Sequence, residues 1–162
     1  MAVITLERKI RSVQFAKRAP SQLFIAHSSL SKSLSADIQS TIKNEKIIPV
    51  LADSLTDSAQ IVNAIINSDA LIAILTKKAL RMPKVRDWLF FEIGCAKGLW
   101  KAIRAGESPH YKIYVWKDKT VKLPALSPIT AYKSVNLRSK QSRAELLADI
   151  QSVAFNLSMM HS

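Results

Sequence analysis

Six consecutive apolar residues, Ala70-Leu71-Ile72-Ala73-Ile74-Leu75, decide the fold class of this chain. A run of this length without polar alternation is typical of a strand that is buried on both faces. Strands of that kind belong to parallel sheets, because the crossover helices of such sheets cover both faces. We therefore predict that residues 70–75 form a central strand of a parallel sheet.

Four more β-type runs lie on either side of this segment, at residues 23–26, 47–51, 111–116 and 131–136. Segments with helical periodicity separate them, which indicates consecutive βαβ units. Five units are too few to close a barrel, so the open sheet is favoured. We predict an α/β fold with a flavodoxin-like, five-stranded parallel sheet of order 2-1-3-4-5 and helices on both faces. Pro49 has no N–H for a ladder, which favours an edge position for the second strand.

Local signals predict where the helices begin. Ser28 or Ser29 is expected to cap the first helix, in which apolar residues recur every four positions. Residues 77–86 are predicted to be a basic loop that leads to a long helix over 87–104. The last helix is expected to open at Ser142 and Glu145, which have the spacing of a capping box.

The length and composition indicate one folded domain. The chain has 162 residues, of which 48% are hydrophobic and 22% charged, a balance typical of a packed core. We divide it into a basic helical extension over 1–20 and a main domain over 21–160. A single cysteine, Cys95, and the absence of an apolar run of membrane-spanning length favour a reducing, cytoplasmic location without a membrane span.

The formal net charge of +12 favours contact with polyanions but identifies none of them. An ordinary solvated basic surface explains the charge equally well. No motif or aromatic stacking platform for nucleic acid is present, so we expect no specific nucleic-acid recognition.

Several common chemistries are missing from the sequence. The chain has only three glycines, and none follows the first predicted strand, so the dinucleotide and P-loop turns do not exist here. No G-x-S-x-G nucleophile elbow occurs. His27 follows the first strand and is a candidate base, although an isolated histidine there usually satisfies local hydrogen bonds. Cys95 has no second cysteine or histidine near it in sequence, so we expect no metal site.

Glu92 is the most unusual residue, because it interrupts the apolar stretch Trp88-Leu89-Phe90-Phe91-Glu92-Ile93-Gly94. None of its helical neighbours three or four positions away carries a positive charge. A carboxylate in such a setting is a candidate for a functional site, and we expect it to face a cleft at the carboxyl edge of the sheet. The alternatives are an ordinary solvated glutamate or one paired with a lysine from another segment.

Four segments, in order, resemble blocks of the TIR (Toll/interleukin-1 receptor) family. Residues 23–29 resemble its first strand and the following loop, and residues 51–56 resemble the loop after its second strand, without the usual proline-glycine pair. Residues 61–76 and the W-x-x-x-E stretch from Trp88 to Glu92 complete the series. The resemblance covers about residues 22–157.

This resemblance implies an NAD+ glycohydrolase or cyclase in which Glu92 is catalytic and NAD+ is the substrate, with no cofactor. It places Ser28, Ser29, Asp53 and Trp88 in substrate binding. It also implies self-association and a role in signalling or defence. A non-catalytic adaptor that acts by association remains open, as does a nucleoside-processing transferase, because a fold does not determine a function. The basic residues of 77–86 would lie near the phosphates of a dinucleotide.

Overall fold

The computed structural model describes residues 21–105, 112–123 and 133–160, so the predicted extension over 1–20 lies outside the described residues. The strands are β1 (Gln22–Ile25), β2 (Ile48–Leu51), β3 (Ala70–Leu75), β4 (Lys112–Asp118) and β5 (Lys133–Val135). The α-helices within these ranges are α1 (Lys32–Asn44), α2 (Ser58–Asn67), α3 (Lys77–Arg81), α4 (Pro83–Ala105) and α5 (Lys140–Met160).

The five strands form one parallel sheet with the order β2-β1-β3-β4-β5, which confirms the predicted fold class. All six residues of β3 are buried, as expected for a strand between two neighbours with helices above and below. β3 pairs with β1 on one side and with β4 on the other. The sequence therefore located the centre of the sheet correctly.

Two hydrophobic layers cover the sheet. Alternate residues of β3 point to opposite faces: Leu71 and Leu75 pack in the layer that contains α2 and α4, whereas Ile72 and Ile74 pack in the layer that contains α1 and α5. Each fully buried leucine or isoleucine contributes on the order of 2 kcal/mol by leaving water. Helices therefore cover both faces, as predicted, and α4 is fixed against the sheet that carries the candidate site.

β2 is an edge strand, and its proline faces the open side. The backbone N–H of Ile48 donates to the carbonyl of Ser21 next to β1, at 2.9 Å. Because successive backbone groups of a strand point in opposite directions, the nitrogen of Pro49 faces away from β1. The edge position predicted from Pro49 is confirmed.

The predicted basic loop over 77–86 is wrong, because most of it is helical. The side chain of Thr76 accepts a hydrogen bond from the N–H of Ala79 at 3.0 Å and caps the short helix α3. α4 then begins at Pro83, four residues before the predicted start. Proline suits the first turn of a helix, since its missing N–H would have no intrahelical partner there.

Two predicted helix caps are also wrong. α1 is capped by Ser31, whose side chain accepts from the N–H of Leu34 at 3.3 Å, and not by Ser28 or Ser29. α5 begins at Lys140, where Ser139 accepts from the N–H of Ser142 at 3.3 Å. The helices thus begin after Ser31 and Ser139. Apolar periodicity alone does not show which of several nearby serines caps a helix.

Candidate functional site

The candidate site lies at the carboxyl ends of β1 and β3. The crossover after β1 leads to β2 on one side of the sheet, whereas the crossover after β3 leads to β4 on the other side. The two connections diverge at this point, and open α/β sheets bind their ligands in the crevice that results. Residues at this crevice are therefore candidates for ligand binding.

Glu92 projects from α4 toward this end of the sheet and is fully buried, with 0% of its surface exposed. Its helical neighbours Leu89, Ile93 and Ala96 are buried in the layer between α4 and the sheet. Leu89 and Ala96 share its helix face, because they lie three and four positions away from it. Packing of the apolar neighbours therefore carries the carboxylate into the interior.

Both oxygens of the Glu92 carboxylate bind His27, the second residue after β1. The backbone N–H of His27 donates to Oε2 at 2.9 Å. The imidazole Nδ1 forms a close contact with Oε1. Because a carboxylate only accepts hydrogen bonds, Nδ1 carries the proton in this contact. The buried carboxylate is thus satisfied by one residue, through its main chain and its ring.

Glu92 also controls the charge of the imidazole. Its hydrogen bond is the largest cause that raises the pKa of His27 above the usual 6.5, against the opposing effect of burial, and the charges of Glu92 and Asp53 add to the rise. The imidazolium therefore persists to higher pH than in an unpaired histidine. Burial, aided by the charge of Glu92, raises the pKa of Cys95, so that thiol stays protonated and is a poor nucleophile.

The outer side of the imidazole meets a carboxylate and an aromatic ring. Nε2 lies 3.4 Å from Oδ1 of Asp53, whose side chain is 63% exposed. The indole of Trp88 stacks beside the imidazole with 6.1 Å between ring centroids and 22° between planes. Phe91 in turn meets Trp88 edge-on at 5.6 Å. His27 therefore lies between two carboxylates, with an aromatic pair at its side.

Three of the residues expected to form the site, Glu92, Asp53 and Trp88, surround His27. Ser28 is buried, and its carbonyl accepts a hydrogen bond from the hydroxyl of Thr76 at 3.0 Å, which ties the end of β3 to the loop after β1. Ser28 and Asp53 both line a small pocket between this loop and the end of β2. The expected site residues therefore gather at one edge of the sheet.

Ser29 lies at the periphery of this group. Its hydroxyl faces the sulfur of Met82 at 3.9 Å, in the segment that joins α3 to α4. Its backbone has a φ of 49°, in the left-handed region that few residues other than glycine adopt. That conformation turns the chain sharply between β1 and α1.

The expectation that Glu92 faces a cleft is wrong, because the imidazole and the surrounding core leave none of its surface exposed. Both alternatives are wrong as well: Glu92 is not solvated, and its partner is His27 rather than a lysine. Position offers part of the signal for this partner, because His27 is the second residue after β1 and lies at the same sheet edge.

The described residues contain neither a cluster of metal-binding side chains nor a membrane-spanning helix. Among them, no three histidine, cysteine or acidic side chains are arranged to hold a metal ion. His27 separates the two carboxylates instead of converging with them on one point. Within the same ranges, no helix is both long enough and apolar enough to cross a membrane.

No protein-family model matches the chain, and no curated protein is significantly similar to it. Its function is therefore inferred from the residues of the chain and from their arrangement at the sheet edge.

Proposed function

We propose that this chain is a TIR-like NAD+ nucleosidase, a glycohydrolase or cyclase, in which the negative charge of Glu92 stabilises the ribosyl cation. One observation carries the proposal: a fully buried carboxylate, paired with a histidine, lies at the divergence of the crossovers where α/β sheets bind ligands. Burying a charged group costs free energy, so such groups are rare in protein cores. Those that occur are concentrated at functional sites.

The chemistry of nicotinamide release suits such a carboxylate. When the bond between the ribose and the nicotinamide nitrogen breaks, its electron pair neutralises the cationic ring, which leaves without protonation. Positive charge then develops on the ribose, as in glycoside hydrolysis. A fixed anion in a water-poor site stabilises that charge more strongly than water does. Water or a group of the same nucleotide then completes hydrolysis or cyclisation.

The neighbours of Glu92 supply contacts for the rest of the nucleotide. Trp88 offers an aromatic face one helical turn from the carboxylate, and such faces bind planar cationic rings. The exposed carboxylate of Asp53 and the hydroxyls of Ser28 and Ser29 provide hydrogen-bonding groups for ribose or amide. Basic residues of α3 lie just beyond β3, where they attract the phosphates.

Nicotinamide release by the purified protein tests the proposal. Wild type is compared with Glu92→Gln, which keeps the size of the side chain but removes its charge, and with Glu145→Gln as a matched change at an exposed site on α5. We expect a loss on the order of a hundredfold or more for Glu92→Gln and none for Glu145→Gln. The assay is repeated at high protein concentration to detect any requirement for assembly.

Two results would contradict this assignment. Equal turnover by wild type and Glu92→Gln would remove Glu92 from the mechanism. The absence of nicotinamide release by every protein, with circular dichroism confirming their folding, would favour the adaptor function instead.

A specific observation supports the adaptor function as second candidate: two phenylalanines are exposed on the outer side of α4. Phe90 is 41% and Phe91 38% exposed, and nothing lies within 4 Å of the place that a Cβ would take at Gly94 beside them. Gly94→Lys therefore leaves the monomer undisturbed while adding a charge to this face. If the chain associates through α4, this variant shifts sedimentation toward the monomer, whereas unchanged sedimentation excludes the face.

A further inference from the structure

The imidazole of His27 covers the carboxylate of Glu92. The carboxylate has no exposed surface, while 14% of the His27 side chain is exposed. The ring contacts Oε1 through Nδ1 and turns its other nitrogen outward to Asp53. A ligand that approaches from the side of Asp53 therefore meets the imidazole before it reaches Glu92.

The contacts of His27 differ in how they depend on its side-chain torsions. The bond from its backbone N–H to Oε2 of Glu92 persists whatever rotamer the ring adopts. The outward contacts of the ring are looser: the carboxylate of Asp53 is 3.4 Å away and largely exposed, and the stacked Trp88 is 6.1 Å away between centroids. Rotation of the ring thus breaks its contact with Oε1 while Oε2 stays anchored to the main chain.

We propose that the side chain of His27 is a proton-controlled cover of the Glu92 site, occupying the position on the carboxylate that a cationic ligand takes when the ring rotates away. The identity of that ligand as the nicotinamide riboside portion of NAD+ rests on the function proposed above. Because the imidazolium and the ligand compete for the carboxylate of Glu92, the side chain of His27 inhibits the resting protein.

The sign of the pH dependence follows from the groups that face the ring. These are the carboxylate of Glu92 from α4 and that of Asp53 from the turn after β2, and both favour the charged imidazole. Below the raised pKa of His27, the ring is a positively charged imidazolium and stays bound to the carboxylate of Glu92. Above that pKa the ring is neutral, its attraction to Glu92 weakens, and the ligand competes more effectively.

The pH profile of NAD+ cleavage is the first test. For wild type we expect kcat/KM to rise by about tenfold per pH unit below the pKa of His27 and to level off above it. His27→Gln cannot take up a proton, so we expect its profile to lose this rise. His27→Ala removes the cover, and we expect its kcat/KM at acidic pH to exceed that of wild type about tenfold or more. Lower activity of His27→Ala with an intact fold would overturn the proposal.

Chemical labelling of carboxylates is the second test, and it does not require turnover. Wild type and His27→Ala are treated with a water-soluble carbodiimide and glycine ethyl ester at mildly acidic pH, and modification of each acid is read by peptide mass spectrometry. The exposed Glu145 is the internal reference. We expect Glu92 to be protected in wild type and labelled several-fold more in His27→Ala, while Glu145 is unchanged.

The two tests separate this inference from the proposed function. If no protein releases nicotinamide but the labelling of Glu92 increases in His27→Ala, the proposed function fails and the cover stands. If nicotinamide is released but Glu92 is equally protected in both proteins, the cover is refuted and the proposed function stands. Equal backbone NMR spectra away from the loop after β1 establish that His27→Ala is folded.

Discussion

The carboxylate of Glu92 binds both the backbone N–H and the imidazole of His27, although 65 positions separate the two residues in sequence. This pair joins the middle of α4 to the end of β1. The same contacts that satisfy a buried charge therefore also fix the geometry of the sheet edge. Both stability and ligand access depend on the protonation of one ring.

We expect the free energy of unfolding to fall as the pH rises above about 6.5. The pKa of His27 is higher in the folded chain than in the unfolded one, so the folded state binds more protons in this range. The contribution is complete below the unfolded value of 6.5 and is lost as the pH rises through the folded value. Urea unfolding at a series of pH values measures it. The decline should vanish in His27→Gln, and an equal decline in that variant would assign the effect to other groups.

Glu92→Gln should also lower stability, apart from any effect on activity. The glutamine amide replaces a charge-assisted contact in a fully buried position, so we expect a loss of about 1–3 kcal/mol in the free energy of unfolding. Glu145→Gln, at the surface of α5, should change it by less than about 0.5 kcal/mol. Equal midpoints for the two variants in urea would mean that the buried pair adds nothing to stability.

The serines around the first turn of α1 should respond differently to substitution. Ser31→Ala removes the side-chain acceptor for the N–H of Leu34, which costs about 1 kcal/mol. Ser29→Gly should be neutral or stabilising, because glycine adopts the φ of 49° without strain. Thermal unfolding compares them; a larger loss for Ser29→Gly than for Ser31→Ala would show that the hydroxyl of Ser29 matters more than its backbone.

Binding to anionic polymers should be weak and strongly dependent on salt. The chain carries a net charge of +12, and Lys77, Lys78 and Arg81 of α3 form an exposed basic group. Such a surface binds by releasing counterions and does not read a sequence. Fluorescence anisotropy with heparin and with oligonucleotides of different sequences measures this. Tight, sequence-selective binding at high salt would contradict it.

The sequence predicted the sheet well because its signals there are dominated by burial. The apolar run of β3 and the edge proline of β2 report directly on the number of neighbours each strand has. Helix starts were predicted less well, since a cap depends on the backbone conformation of one residue. The φ of Ser29 and the capping bond of Thr76 cannot be inferred from apolar periodicity.

The location of the candidate site was predicted from the sequence, but the burial of Glu92 and its pairing with His27 were not. Glu92, Asp53 and Trp88 do come together at the expected edge, because the carboxyl ends of parallel strands share one side of the sheet. The partner of Glu92 was missed, because the pairing spans two crossovers and leaves no local pattern in the sequence. A lone acid in an apolar helix requires a counterion somewhere, and only the fold identifies it as His27.

Pro49 has a consequence for how copies of this domain can assemble. Its nitrogen faces the outer side of β2, so a foreign strand that docked there would find no N–H at the second position of a strand of only four residues. Templated growth of the sheet from that side, the first step toward a fibril, is therefore disfavoured.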